Sequence, residues 1–235
     1  MDCAAYTVAD QERMARAANY VAWQGRLVHG ELGRRVLEVG SGVGNFTGTL
    51  LDREAVIAID VEPACIERLK RRYAGRLNLH AFVCDVAGPE FRELARFRPD
   101  SCVCLNVLEH TPDDLSSLNA IASVLVPGGN IVLILPAFQA LYGPIDRNLG
   151  HFRRYSRGSL DRLAQRAGLR LRKARYSNCV GFFGWWANAH VLKREAQSEQ
   201  QIEIFDRYLV PVISAMEAVI PPPFGQSLVA VLERP

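Results

Sequence analysis

Short apolar runs alternate with amphipathic stretches through the first 177 residues of the chain. Arg35–Val39, Ala55–Ile59, Leu77–Cys84, Ser101–Leu105 and Ile131–Leu135 are runs of strand length, rich in Val, Ile and Leu. Between them lie segments with helical spacing: Phe46–Leu51, Pro63 to about Tyr73, Glu90–Phe97, and a helix that starts near Thr111. In that last start Thr111 is the expected cap, Pro112 sits in the first turn, and Asp113 and Asp114 face the positive helix end. The run Ile131–Leu135 is aliphatic throughout, as in a strand covered on both faces. Alternation of this kind predicts an α/β fold: a doubly wound, mostly parallel sheet with right-handed crossovers.

The rhythm changes at both ends. Residues 10–32 carry Met14, Ala17, Ala18, Val21, Leu27 and Val28 near helical spacing, which predicts an N-terminal helix. After Pro136 a long connection, residues 137–157, is rich in aromatic and basic residues. A helix over Ser159–Ala167 and a strand over Leu169–Tyr176 follow. A helical insertion of about residues 178–224 then precedes a last strand, Ser227–Leu232. The 235 residues read as one domain, 1–235, with that insertion between its final two strands.

Composition narrows the reading. A net charge of +3 favours no particular partner. No basic start leads into an apolar core, and no uninterrupted apolar run approaches the roughly 18–20 residues that span a bilayer. Of six cysteines, Cys84, Cys102 and Cys104 fall inside core runs, where a free thiol packs as a small hydrophobe. Cys102-Val103-Cys104 has no second pair at ligand spacing, so the expectation is no metal and a reduced, cytoplasmic protein.

The chemistry concentrates at the strand ends. Glu38-Val39-Gly40-Ser41-Gly42-Val43-Gly44-Asn45 is a strand running into a glycine-rich turn. A dinucleotide fingerprint needs glycine where Asn45 stands. Glu38 could accept from a ligand amine or a backbone amide, Asp60 suits a ribose, Asp85 an adenine amine, and Asn106 the other side of the ligand.

These segments resemble the class I S-adenosylmethionine-dependent methyltransferases. Glu38–Gly44 looks like their first motif. Val56–Asp60, Val83–Val86 and Asn106-Val107-Leu108-Glu109-His110 look like the motifs that end the next three strands. Leu125–Gly129 looks like the turn before the fifth strand. The resemblance implies a Rossmann-like sheet of about seven strands, the last antiparallel. It implies S-adenosylmethionine as cofactor and S-adenosylhomocysteine as product. It places the cofactor against Tyr20, Glu38, Gly40, Ser41, Gly42, Gly44, Asp60, Val61, Asp85, Val86, Asn106, Val107 and Glu109, with the N-terminal helix lying over it. Leu141–Ser156, with its Gly150-His151-Phe152-Arg153-Arg154-Tyr155 core, is similar to a bacterial small-molecule subgroup.

The acceptor side is then residues 137–224. A hydroxyl or ammonium acceptor must lose a proton, and His110 and His151 are the base candidates. Tyr142, His151, Arg153, Arg154 and Trp185 are the candidate acceptor contacts. Arg153 and Arg154 either clamp a carboxylate or phosphate, or pair internally with Asp146 or Asp161. The basic residues from Arg157 to Arg175 read mainly as a solvated face, so nucleic acid is not expected. Phe182, Phe183, Trp185 and Trp186 form either a core or an apolar acceptor wall or membrane-touching edge. Phe205, Leu209, Val212, Ile213, Met216 and Ile220 form a stripe suited to core or dimer contact, and a monomer or a homodimer fits equally. The reading is methyl transfer to a small molecule, most often at oxygen. The alternatives are a nicotinamide oxidoreductase, a nucleic-acid methyltransferase and a non-catalytic cofactor-binding protein.

Overall fold

A computed structural model describes residue 11 and residues 15–194 and 198–235. Seven strands form one sheet: β1 (Arg35–Val39), β2 (Ala55–Asp60), β3 (Leu79–Val83), β4 (Ser101–Leu105), β5 (Asn130–Pro136), β6 (Arg170–Ser177) and β7 (Ser227–Glu233). Their order is β3-β2-β1-β4-β5-β7-β6. Strands β1 to β5 pair in parallel, and β7 slots antiparallel between β5 and β6. The predicted strands thus stand where the apolar runs placed them, and the last is antiparallel as expected.

The period of two along each strand separates two cores. Leu37, Cys102, Cys104, Leu133 and Leu232 face one side, against α3 (Asp114–Val124) and α5 (Arg157–Arg166). Val36, Val56, Val103, Val132 and Val231 face the other, under α1 (Ala18–Val28) and the turn Thr47–Leu50. Helix α2 (Pro63–Arg72) covers β2 and β3 through Ile66 and Leu69. Burial on both faces is why these strands lack polar alternation. Cys84, Cys102 and Cys104 are buried free thiols in this core.

Three expected helices differ in detail. The segments Thr47–Leu50 and Pro89–Phe97 close as tighter 3-10 turns. Helix α3 is capped by Asp113, whose carboxylate accepts from the Ser116 amide at 3.0 Å. Thr111, the expected cap, turns its hydroxyl back to the Leu108 carbonyl at 2.9 Å. Most of the predicted helix before residue 15 lies outside the described residues. The rest forms α1 and a 3-10 turn, His29–Glu31.

After β5 come a short helix, α4 (Pro144–Asn148), then α5 and β6. The insertion is helical: α6 (Cys179–Trp186), α7 (Glu199–Ile204) and α8 (Val210–Val219), with wider-wound turns between them. Helix α8 packs through Val210 and Ile213 onto Trp23 of α1, and its Glu217 accepts from the Ser177 hydroxyl at the end of β6 at 3.1 Å. The predicted stripe therefore divides, with Ile213 buried and Leu209, Val212, Met216 and Ile220 exposed. No described helix is long and apolar enough to cross a membrane.

Helix α1 has no capping side chain of its own. Asp206, buried in the insertion, supplies one: its carboxylate accepts from the amides of Tyr20 at 2.8 Å and Asn19 at 3.3 Å. This bond fixes α1 along the rim of the cavity described below. Asp206→Ala should cost about 1–2 kcal/mol in urea unfolding and accelerate amide exchange through α1, since two helix-end donors lose their acceptor. Asp206→Asn, which keeps one acceptor, should cost less than half as much.

Candidate active site

Parallel strands carry their carboxyl ends to one edge of the sheet, and a cavity of about 1500 Å³ opens there. The glycine turn after β1 forms its floor. The amides of Gly40 and Ser41 both donate to the Ile59 carbonyl at 2.9 Å, which pins the turn to the end of β2. Gly40 has φ +75°, and a side chain there would collide with Val107, itself in the cavity wall. Gly42 has φ +53°, and its amide donates to Asp60 Oδ2 at 2.7 Å. Both positions need the left-handed freedom of glycine.

Asp60 braces the turn and faces the cavity at once. Its Oδ1 accepts from the Glu62 amide at 3.0 Å, so each oxygen keeps a lone pair for a ligand hydroxyl. Burial raises its pKa, against the hydrogen bonds from the Glu62 and Gly42 amides. Ser41 Oγ is buried at the cavity wall without a hydrogen-bond partner. Tyr20, Val61, Asp85, Val86, Asn106 and Val107 also line the cavity. A floor of bare backbone, an unpartnered hydroxyl and carboxylates at two further strand ends fit a small polar ligand carrying an amino acid at one end and a nucleoside at the other.

Three expected cofactor contacts stand elsewhere. Gly44 has φ +84° and lies under α2, where a Cβ would come within 2.9 Å of the Tyr73 ring; its carbonyl accepts from the Tyr73 hydroxyl at 2.8 Å. The third glycine thus serves packing. Glu38 is 3% exposed beneath the turn and accepts from the Thr47 hydroxyl at 2.7 Å, outside the cavity lining. Burial pushes its pKa up to about 8, the Thr47 hydrogen bond opposing. Glu109 is fully buried behind the wall, and neither of its oxygens has a hydrogen-bond partner. Burial pushes it, too, up to about 8.

The far side of the cavity is organised by Asp146, a residue with no expected role beyond pairing an arginine. It is fully buried in α4. Its carboxylate accepts from His151 Nδ1 at 2.9 Å, Arg154 Nε at 2.8 Å, the Gly143 amide at 3.0 Å and Trp185 Nε1 at 3.3 Å. Burial would raise its pKa, but the His151 hydrogen bond and the Arg154 guanidinium outweigh that and hold it low. The Arg154 guanidinium also stacks on the Trp185 ring, 4.7 Å from its centroid. Arg153 pairs with Asp114 at 2.8 Å and donates to the Pro112 carbonyl. Of the two readings for this pair, internal pairing is what the contacts show: Arg154 with Asp146 and Arg153 with Asp114, while Arg154 also lines the cavity. Tyr142 lies outside the cavity and donates its hydroxyl to the His151 carbonyl at 2.7 Å.

His110 and His151 come together, their rings perpendicular and 4.6 Å apart. Both line the cavity. Desolvation and the neighbouring His151 lower His110 to about 4, so its ring is neutral at physiological pH. Trp185 lines the same wall, nearly buried, while Trp186 and Phe183 of the same helix are exposed. Gln11 was not anticipated: its Oε1 accepts from the Val43 amide at 2.9 Å, over the glycine turn. A lone Gln in the first turn of an expected helix carries no signal of such a contact.

Comparisons with known proteins agree with this geometry. Residues 10–174 match a family model described as a methyltransferase domain. The chain is 32% identical over 101 residues to a ubiquinone biosynthesis O-methyltransferase of Alkalilimnicola ehrlichii, covering 43% of this chain and 40% of that protein. It is 33% identical over 105 residues to the protein of the same name from Xanthomonas campestris pv. campestris, 43% of this chain and 42% of that one. The chain thus spans about two fifths of the length of these relatives. Among solved structures, a putative methyltransferase complexed with the Trm112 activator of Haloferax volcanii superposes with TM-score 0.67 at 17% identity, covering 100% of this chain and 98% of that one. The N-methyltransferase NodS of Bradyrhizobium japonicum, in complex with S-adenosyl-L-homocysteine, superposes with TM-score 0.55 at 17% identity, covering 96% and 87%. The match displaces the nicotinamide reading, as the missing glycine at Asn45 had suggested.

Glu38 supplies a test of the packing beneath the turn. Its folded pKa of about 8 exceeds the unfolded 4.5. The stability it contributes is therefore fully present below pH 4.5 and lost as pH rises through 8. Urea unfolding of Glu38→Gln should show a shallower decline between pH 5 and 8.5 than the parent chain, by on the order of a few kcal/mol. Glu109 has the same sign, so the decline should shrink rather than vanish.

By its match over residues 10–174 the chain belongs to the methyltransferase domain family, and its fold is shared with solved methyltransferases.

Proposed function

We propose that the chain methylates an oxygen of a small, largely apolar acceptor bearing a hydroxyl group. The observation that carries this reading is the His151 ring at the cavity wall, held by Asp146 through Nδ1. That bond places the proton on Nδ1 and leaves Nε2 with its lone pair, the form a base needs. Apolar groups share its cavity: Ile145, Leu149, Phe152, Ile202 and Phe205 belong to the lining. Arg153 and Arg154 are paired internally with Asp114 and Asp146, which weakens the case for a carboxylate or phosphate acceptor. The relatives named as O-methyltransferases of ubiquinone biosynthesis support the choice of oxygen and of an apolar acceptor.

In this reading the glycine turn and Ser41 hold the amino-acid end of S-adenosylmethionine, Asp60 the ribose, and Asp85 with Val86 the adenine edge. Tyr20 and Val107 close over it. When bound, the cofactor supplies a methyl group already activated on a positively charged sulfur. The chain's own residues do the rest. They align the hydroxyl, exclude water, and take its proton at His151 Nε2, with the developing imidazolium stabilised by the Asp146 carboxylate. His110 is the lesser candidate, because desolvation disfavours its charged form. Nucleic acid is disfavoured in part by pairing on the basic segment: Arg170 and Arg172 share Glu233, and Lys173 pairs with Glu31.

The test is a panel of phenols and catechols with apolar side chains, assayed with radiolabelled cofactor and product mass spectrometry. On an acceptor that turns over, His151→Ala should lower kcat about 100- to 1000-fold, while S-adenosylhomocysteine affinity changes by less than threefold. Asp146→Asn should lower kcat by a smaller factor and move the acid limb of its pH profile. Transfer confined to amines or carboxylates would overturn the reading, as would full activity in His151→Ala.

A further inference from the structure

Glu109, His110 and His151 stand in a relation that neither cofactor binding nor base catalysis requires. One carboxylate oxygen and one nitrogen from each ring lie within 4.8 Å of one another. Glu109 is fully buried with both oxygens unpartnered. A buried carboxylate without a hydrogen-bond partner is a costly arrangement that native proteins rarely leave unexplained. The nearest guanidinium, Arg154, is bonded to Asp146 and the Ala137 carbonyl instead.

We propose that Glu109, His110 and His151 form a binding site for a divalent transition-metal ion of the zinc class. Two imidazoles and one carboxylate are the donor set that such borderline cations prefer. The supports behind the donors fit as well. Metal-bound histidines hold their second nitrogen on a carboxylate or a backbone carbonyl, which fixes the ring and the tautomer. His151 has Asp146 at 2.9 Å in that place, and His110 hydrogen-bonds the Leu149 backbone. Asp146 is itself held by Arg154, Trp185 and the Gly143 amide. Glu109 and His110 come from the turn after β4, and His151 from the loop after β5, so the site bridges two adjacent strand ends.

Three protein donors leave a fourth position, and His110 and His151 both border the cavity, so that position faces it. Bonds of about 2.0–2.2 Å to a tetrahedral centre put donor atoms about 3.4 Å apart. Closing from the observed spread takes movements of about an ångström, within reach of side-chain rotation. A cation at His151 Nε2 takes the electron pair that would otherwise accept a proton. Occupancy and base catalysis are alternatives at one atom, so the site is best read by binding, without turnover. The proposal does not rest on the acceptor reading.

The experiment uses the full chain, free of affinity tag and stripped with chelator. Co2+ is followed by visible absorption, Zn2+ by calorimetry, and the five histidines by nitrogen-15 NMR. One equivalent should bind, shifting His110 and His151 and leaving His29, His80 and His190 unmoved. Glu109→Gln and His151→Gln should each weaken binding at least tenfold. Binding of no equivalent overturns the proposal. So does one equivalent with unchanged affinity in both variants, or shifts confined to the other three histidines. Should either variant fail to fold, the histidine shifts in the parent chain decide the matter alone.

Discussion

The far side of the cavity depends on one buried carboxylate. Asp146 has no exposed surface, and an ionised carboxyl in that position is tolerable only because four donors converge on it. Those donors come from three places: its own helix start, the loop after β5, and the insertion helix that carries Trp185. Satisfying one charge therefore ties together the segments with the least regular structure. It also orients His151, which lines the cavity. Arg154 has its charge balanced in the same place.

The cofactor side obeys a different constraint. There the backbone itself must approach the ligand, so the turn after β1 is built from residues in left-handed conformations and fastened to the end of β2. Ile59 accepts two amides of the turn, and Asp60 accepts a third. The acid at the end of β2 thus faces the cavity and fastens the turn at once. Helix α1 and the insertion close the rim through Asp206, so the two sides of the cavity share a wall.

Much of this was legible in the chain. Apolar runs located the central strands, because burial on both faces leaves no other pattern of residues able to fill those positions; the basic edge strand β6 is exposed or half-buried over most of its length and followed from its place in the rhythm. The alternate glycines and the acids at Asp60 and Asp85 marked the cavity edge, because parallel strands deliver their carboxyl ends to one side. Less legible were the functions of individual polar residues. Gly44 and Glu38 belong to the motif that reads as ligand-binding, yet one packs under Tyr73 and the other under Thr47. Arg153 and Arg154 had two readings of equal chemical sense, and only their neighbours decide between them.

What the sequence determines by itself is the sheet, its winding and the kind of ligand its edge accepts, since these follow from local periodicity and from what backbone geometry permits. What tertiary structure decides is which polar groups meet. His110 and His151 are forty-one positions apart and become neighbours only because β4 and β5 are adjacent in the sheet. Asp146 and Trp185 meet because the insertion folds back over the loop after β5. Pairing of this sort depends on distance in space and on the cost of leaving a buried charge alone, and neither quantity is written in any short stretch of chain.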